Sequence, residues 1–229
     1  MGFVHIQGAG GNNPVGNTSL TFNIVLPSNP TPGNLVCTGI AFPFISSPTS
    51  LVSVVDGNGN TYTITPNSPS GNQTPAGKVY LIYLLNAPSN ANKTLTVTVS
   101  TTGLAIAGWA DEFEPVGGIA LFHADAKANT ATAGTTINTP SIASIGVQSL
   151  LYSCAAAGGT ITHPVAGATL GVWTGAAGAI TFGDMSEYEL AAGPGTTAVD
   201  YTQTSGRWSA MAMSFSFIPR ELALLGCGV

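Results

Sequence analysis

Two groups of acidic residues offer the clearest possibility of chemistry in this sequence. They are Asp111, Glu112 and Glu114 in one apolar β-type segment, and Asp184, Glu187 and Glu189 in another. Two carboxylates on opposite sides of a cleft are the arrangement that glycosidases use. Side chains alternate along a strand, so Glu112 and Glu114 share one face and Asp111 lies on the other. The favoured interpretation is polar outer-face positions, calcium ligands or subunit contacts, with glycosidase catalysis as an alternative.

Nucleophilic and metal chemistry have little support. The histidines and cysteines are dispersed along the chain, at His5, His123, His163, Cys37, Cys154 and Cys227. No Gly-x-Ser-x-Gly turn precedes a helical segment, and the cysteines lack the spacing of a zinc site. Cys37 and Cys154 lie in apolar runs, which predicts buried thiols, with a disulfide between them as the alternative. We predict no catalytic residue, no metal site and no cofactor.

The segment Asp56-Gly-Asn-Gly-Asn60 begins like a calcium loop, with oxygen ligands at alternate positions. However, Thr61 occupies the sixth position, where glycine is needed, and Asn67 stands in place of the bidentate glutamate. The segment lies between two β-branched runs, so it predicts a hairpin turn.

Aromatic side chains are the candidates for a binding surface, because exposed rings stack on sugars. Trp109, Trp173 and Tyr62 are the predicted glycan contacts. All three lie in or beside predicted strands, so core packing is the competing interpretation. If the protein has a structural role, we expect the rings of Trp109 and Trp208 to lie in the core.

The composition excludes several classes of protein. Among 229 residues there are 5 Lys or Arg and 10 Asp or Glu, a net charge of −5 and a charged fraction of 7%. Soluble domains contain about 25% charged residues. The sequence has too few charged residues for the charged positions that flank the core of a coiled coil. It also has too few basic residues to form a surface that binds nucleic acid. No run approaches the roughly 18 apolar residues of a membrane helix, and no secretion signal is predicted from the amino-terminal residues.

The pattern along the chain is that of an all-β protein. Period-2 segments bounded by Gly, Pro, Asn and Ser occur throughout, and helical periodicity is nearly absent. The clearest strands are predicted at 18–26, 35–44, 51–55, 61–65, 78–85, 93–100, 104–113, 119–124, 148–155, 169–173, 180–190, 197–202 and 207–218. We predict a jelly-roll-like antiparallel β-sandwich.

The sequence is built from two similar halves, at about 1–117 and 118–219. Each half begins with a Thr-rich strand, a Pro-Ser dipeptide and an apolar strand that ends in Cys37 or Cys154. Each half ends with a long apolar strand that closes on Phe-x-Pro, at Pro115 and Pro219. A duplicated unit suits one jelly roll over 1–219, and two tandem sandwiches are the alternative. Residues 220–229 form an apolar tail.

Five segments carry a resemblance: Phe3–Gln7, the Ser53–Tyr62 hairpin, Lys78–Leu85, Trp109–Phe113 and Trp208–Phe217. Together they resemble a non-catalytic, jelly-roll-like β-sandwich module of bacterial surface proteins and phage structural proteins. The resemblance covers most of residues 3–219 and implies a structural or adhesive role. It implies no catalytic residue.

The tail brings three leucines beyond the predicted sandwich, Leu222, Leu224 and Leu225. An apolar terminus either packs on its own sheet or docks into a neighbouring subunit, and we predict these leucines as subunit contacts. The leading hypothesis is a structural protein of a virion (phage capsid, decoration or tail) or of a similar extracellular particle or filament. Its partners are copies of itself or other virion proteins. A carbohydrate-binding or adhesive module is the alternative.

Overall fold

A computed structural model describes residues 2–13, 18–42, 49–70, 77–102, 106–138, 141–144, 149–158, 161–164, 170–173, 184–190, 195–197 and 201–220. All sixteen regular elements within these ranges are β-strands, and every strand pairing is antiparallel. The prediction of an all-β sandwich is confirmed. Over the same ranges, no helix is long and apolar enough to cross a membrane.

The first half contains eight strands: β1 (Phe3–Asn13), β2 (Thr21–Val25), β3 (Leu35–Phe42), β4 (Leu51–Asp56), β5 (Thr63–Ile64), β6 (Lys78–Leu84), β7 (Thr94–Val99) and β8 (Ile106–Pro115). They form two sheets. The first inner sheet has the order β1-β8-β3-β6-β5, and the first outer sheet has the order β2-β7-β4.

The second half also contains eight strands: β9 (Gly118–Ile137), β10 (Ile142–Ser144), β11 (Leu150–Ala157), β12 (Ile161–Pro164), β13 (Leu170–Trp173), β14 (Asp184–Leu190), β15 (Gly195–Thr197) and β16 (Tyr201–Pro219). The second inner sheet has the order β12-β16-β11-β14-β13, and β9 pairs along the other edge of β16. The second outer sheet is the pair β10-β15.

The two halves repeat one strand order. Raising each strand number of β1-β8-β3-β6-β5 by eight gives β9-β16-β11-β14-β13, and all four of these pairings occur in the second half. The halves differ at β12, which pairs with β16, whereas its counterpart β4 belongs to the first outer sheet. With β2-β7-β4 opposite β1-β8-β3-β6-β5, the first half has the strand order of a jelly roll. The sequence led us to expect one jelly roll made by both halves together, whereas the structure forms the jelly-roll order within the first half and repeats the order of its inner sheet in the second. The division into a single domain over residues 1–219 stays a prediction.

The sheets stack in four layers with apolar cores between them. Phe22, Ile24, Ile40 and Tyr80 belong to the core between the first outer and first inner sheets. The largest cluster lies between the two inner sheets and includes residues of both halves, namely Phe3, Leu35, Cys37, Trp109 and Phe113 with Tyr152, Cys154, Met211 and Phe215. A smaller cluster of Ile142, Leu151 and Ala212 lies under the second outer sheet. The halves therefore share the central core.

Strands β3 and β11 are buried on both faces because each inner sheet is covered on both sides. All eight residues of each strand are buried. This explains why these segments are continuous apolar runs rather than alternating ones, as sheets covered on both faces require. The two cysteines of the sequence repeat lie on these central strands.

The edge strand β9 is much longer than the predicted segment 119–124 and extends from Gly118 to Ile137. It pairs with β16 along this length, with register shifts beside Gly134 and Gly206. The loop after β5 covers part of its free edge, because Asn67 Nδ2 donates to the Asp125 carbonyl at 3.0 Å and Ser70 Oγ donates to the Ala128 carbonyl at 2.7 Å. Bulges and covering loops are devices that prevent unwanted pairing at sheet edges.

Candidate functional site

The acidic residues of β8 point to opposite sides of the first inner sheet. Asp111 and Glu112 are both buried, with 1% and 0% of their surface exposed, whereas Glu114 is exposed. Because side chains alternate along a strand, Asp111 faces the second half and Glu112 faces the first outer sheet. The two carboxylates therefore occupy separate polar sites with different partners.

Asp111 joins the two halves of the protein. Its Oδ1 lies 3.0 Å from His5 Nε2 on β1, and its Oδ2 accepts a hydrogen bond of 3.0 Å from the Tyr152 hydroxyl on β11. The His5 ring is partly exposed and stacks on Tyr188 of β14, with ring centroids 5.0 Å apart. Phe113 packs edge-on against His5 at 5.4 Å. This cluster contains an imidazole, a carboxylate and two phenols at the junction of the inner sheets.

The surroundings of Asp111 suppress ionisation of its neighbours. Burial, and then the Asp111 carboxylate, raise the pKa of the Cys37 thiol well above its ordinary value. The same two causes, in the same order, raise the pKa of the Tyr188 hydroxyl. Nucleophilic cysteines require a stabilised thiolate, so Cys37 is an inert thiol in this fold.

Glu112 is held by three donors from two parts of the first half. Its Oε1 accepts hydrogen bonds from the Thr31 backbone N–H at 2.7 Å and from Asn34 Nδ2 at 2.6 Å. Its Oε2 accepts a hydrogen bond from Gln7 Nε2. Gln7 Oε1 in turn accepts from the backbone N–H of Ser28 at 2.9 Å. Glu112 thus ties β1 and the loop before β3 to the centre of the sheet.

This geometry argues against the glycosidase alternative for the β8 acids. Asp111 and Glu112 lie on opposite faces of one sheet and are covered by protein, so they cannot flank a common substrate bond. Asp184, Glu187 and Glu189 belong to β14, and their side chains lie outside the described residues. Among the described residues, no three His, Cys, Asp or Glu side chains are arranged to hold a metal ion.

The Asp56 turn is organised around the carboxylate. Asp56 Oδ1 accepts from the backbone N–H groups of Asn58 and Asn60, at 2.9 and 3.0 Å. Its Oδ2 accepts from Asn60 Nδ2 at 2.8 Å and from the Asn92 backbone N–H at 2.9 Å. Both oxygens are thus engaged by N–H donors, which is the environment of a turn rather than of a cation site. Gly59 has φ of 88° and lies at the tip of this turn.

Replacing Asp56 by asparagine should destabilise the protein at neutral pH. Burial by itself opposes ionisation, yet the Asn60 amide and the backbone N–H groups of Asn92, Asn58 and Asn60 hold the pKa of Asp56 below its ordinary value. A lowered pKa in the folded state contributes stability above the unfolded value of about 3.9, and this stability is lost as the pH falls. We expect Asp56→Asn to lower the free energy of unfolding by about 1–3 kcal/mol at pH 7.

Urea unfolding at neutral pH and at about pH 3, below the unfolded carboxyl pKa, tests this expectation. The difference between wild type and Asp56→Asn should shrink at the lower pH. A difference that does not change with pH would show that the charge of Asp56 does not stabilise the turn.

The predicted glycan contacts lie mostly inside the fold. Trp109 belongs to the core between the inner sheets, and Tyr62 belongs to the core under the first outer sheet. Their exposures of 5% and 3% leave no ring face for a sugar to stack on, so this burial argues against glycan contact by either residue. Trp208 is buried as the core interpretation expects. Trp173 ends β13, and its side chain lies outside the described residues.

Tyr62 has a second unusual property, because its buried hydroxyl has no hydrogen-bond partner among the described residues. Burial, and then the charges of Asp56 and Glu112, raise its pKa. An unsatisfied buried hydroxyl costs about 1–3 kcal/mol. We therefore expect Tyr62→Phe to leave the free energy of unfolding unchanged or to raise it by up to about 1 kcal/mol.

Tyr80→Phe is the matched control for Tyr62→Phe. Tyr80 lies in the same core, but its hydroxyl bonds to the Leu51 backbone. Removing that hydroxyl should destabilise the protein by about 0.5–1.5 kcal/mol. Chemical denaturation of both variants makes the comparison, and a clear loss of stability in Tyr62→Phe would contradict the account of its hydroxyl.

The remaining residues singled out in the sequence are dispersed. His123 is exposed on β9, and His163 belongs to β12, where its side chain is not described. Cys37 and Cys154 are buried thiols rather than halves of a disulfide. Leu222, Leu224 and Leu225 lie outside the described residues, so their role as subunit contacts stays a prediction.

Sequence reasoning missed the residues that hold the buried acids. Gln7, Asn34, Tyr152 and Tyr188 are far from Asp111 and Glu112 in sequence and come together only through strand pairing and sheet stacking. It also missed Lys78, whose buried ammonium donates to the Thr49 carbonyl at 2.6 Å and whose pKa is lowered by burial. The only available signal was the presence of charged residues inside apolar segments.

Comparison with known proteins identified no relative. No protein family matches the chain, and no curated protein or solved structure is significantly similar to it. The resemblance to surface and phage modules therefore stays a prediction.

Proposed function

We propose that this protein is a structural component that assembles with copies of itself or with other proteins into a virion, as a capsid, decoration or tail protein, or into a similar extracellular particle or filament. The observation that carries the proposal is the outward face of the first outer sheet. The outward side chains on its three strands are uncharged, namely Thr21, Asn23, Val25, Ser53, Val55, Thr94, Thr96 and Thr98.

This face combines short polar side chains with aliphatic ones. Val25 and Val52 are 48% and 55% exposed, and Leu20 just before β2 is 46% exposed. Thr96 Oγ1 donates to Asn23 Oδ1 across the strands at 3.1 Å, so hydroxyl and amide groups are partly satisfied within the face. A sheet face of this kind packs against another surface without the cost of removing water from ions.

The small number of surface charges supports the same proposal. Three of the 10 acidic residues, Asp56, Asp111 and Glu112, are buried. The exposed charged side chains in the described part of the chain are Lys93, Glu114, Lys127, Arg207 and Arg220. In the described part of the chain the surface is therefore less charged than the composition suggests, and proteins with few surface charges tend to associate. Jelly-roll sandwiches occur in viral capsids and lectins, so the architecture is compatible with this role.

The oligomeric state of the purified chain tests the proposal. We expect light scattering and electron microscopy to show ordered assemblies that grow with protein concentration. Val25→Lys combined with Thr96→Lys should weaken assembly, because it places two charges on the outward face. Thr135→Lys, at an exposed position of β9, is the control and should have little effect. A chain that stays monomeric at all concentrations, alone and with other particle proteins, would overturn the proposal.

The carbohydrate-binding alternative now rests on Trp173 and on loop asparagines, because Trp109 and Tyr62 are buried. A glycan array separates the two hypotheses. Binding that is lost in Trp173→Ala, by a chain that does not assemble, would favour the adhesive module.

A further inference from the structure

A cluster of exposed aliphatic side chains lies at one end of the first inner sheet. Val4, Ile6 and Val116 are 47%, 44% and 36% exposed, and we call them the N-terminal patch. Val4 pairs with Glu114, and the Val116 N–H donates to the Gly2 carbonyl at 2.9 Å. Val4 and Val116 are therefore diagonal neighbours on one ladder, which are close enough for side-chain contact.

Ile6 extends the patch along β1. The register of the β1–β8 ladder shifts between His5 and Gln7, so Ile6 is the extra residue of a bulge. The neighbouring side chains His5 and Gln7 are held by Asp111 and Glu112, which fixes the strand while Ile6 stays exposed. The patch is thus a surface on a rigid strand.

The described chain ends beside this patch. The backbone N–H of Arg220 donates to the Gly117 carbonyl at 3.1 Å, one residue from Val116. The Arg220 guanidinium reaches toward Gly33, where an added Cβ would lie 3.5 Å from Nη2. Gly33 precedes β3 at the same end of the first inner sheet. Residues 221–229 therefore start within reach of all three patch residues.

We propose that residues 221–229 pack on the N-terminal patch of their own chain, in place of the subunit contact predicted from the sequence, with Leu222, Leu224 and Leu225 covering Val4, Ile6 and Val116. Both surfaces are aliphatic, and nine residues span up to about 30 Å when extended. Attachment beside the patch gives the tail a millimolar effective concentration there, which favours this site over the same patch of a second copy. The inference does not depend on the proposed assembly.

Disulfide trapping with the native Cys227 tests the inference in the full chain. Cys37 and Cys154 are buried, so Val4→Cys supplies a new accessible partner for Cys227. Under mild oxidation at low protein concentration we expect an intrachain disulfide, seen on non-reducing gels and by peptide mapping. Val52→Cys, which is similarly exposed but lies on the first outer sheet, should cross-link at least five-fold less.

Two outcomes of the trapping experiment would overturn the inference. An interchain disulfide with Val4→Cys would place the tail on a second copy, and equal yields with Val4→Cys and Val52→Cys would show that the tail has no fixed site. A second measurement does not need new cysteines: replacing the three leucines by serine should accelerate amide hydrogen exchange at residues 3–6 and leave β7 unchanged. No acceleration at residues 3–6 would equally contradict the proposal, whatever the oligomeric state.

Discussion

Replacing Glu112 by glutamine is expected to lower the free energy of unfolding by about 2–4 kcal/mol. The carboxylate has no exposed surface and accepts hydrogen bonds from Gln7, Asn34 and the Thr31 backbone. Glutamine has the same shape, but its amide nitrogen is a donor and would face at least one of these donors. One buried N–H would then have no acceptor, and β1 would be held less firmly to the loop before β3.

Glu114→Gln is the matched control, because Glu114 lies two residues along the same strand and is exposed. Its effect should stay within about 0.5 kcal/mol. Equilibrium unfolding in urea at neutral pH measures both variants. Equal stabilities for Glu112→Gln and wild type would show that the buried carboxylate does not hold these elements together. Amide exchange in β1 should accelerate in Glu112→Gln alone.

Gly39→Ala is expected to destabilise the protein by about 1–3 kcal/mol, because it overpacks the centre of the molecule. Gly39 lies on β3, and a Cβ added there would lie 2.8 Å from both the Cβ and the Sγ of Cys154 on β11. Real side chains do not approach so closely, and both central strands are covered on both faces. The two inner sheets would have to separate locally to admit the methyl group.

A compensating substitution tests this account of the packing. Cys154→Gly removes the side chain that Gly39→Ala would meet, so the double variant should lose less stability than the sum of the two single variants. A coupling of at least about 0.5 kcal/mol is expected for residues in contact. Gly134→Ala is the control, since an added Cβ there meets no atom within 4 Å. Additive effects would mean that the inner sheets do not meet at Gly39.

Local sequence patterns predicted the strands well where one face of a strand is exposed. The segment 93–100 alternates, and β7 is found at Thr94–Val99 with its threonines outward. The Asp56 turn was likewise predicted from its residues. The residues that form it, the Asp56 acceptor and Gly59, lie within five consecutive positions, so a local pattern is sufficient to predict it. The strand predicted at 119–124 was too short. The Thr- and Ala-rich residues that continue β9 have no clear strand pattern of their own, and they extend the strand because they pair with β16.

The partners of the acidic residues could not be predicted, because they come from distant parts of the chain. Alternation predicted that Asp111 and Glu112 lie on opposite faces, and they do. It did not indicate that both faces of this sheet are covered, so it placed the acids at an outer surface. The second half packs on one face and brings Tyr152 to Asp111, whereas Gln7 and Asn34 reach Glu112 on the other.

The sequence by itself determined the fold class and the presence of two similar halves, because alternation, turn residues and scarce charge act locally along the chain. The tertiary structure decided how the halves are arranged and which polar groups meet. Each half forms an inner sheet with the same strand order, and the two inner sheets share one apolar core. Sheet stacking depends on contacts between residues more than a hundred positions apart, such as His5 of the first inner sheet with Tyr188 of the second. No local pattern encodes such contacts, so burial of the acids and of Trp109 and Tyr62 emerged only in three dimensions.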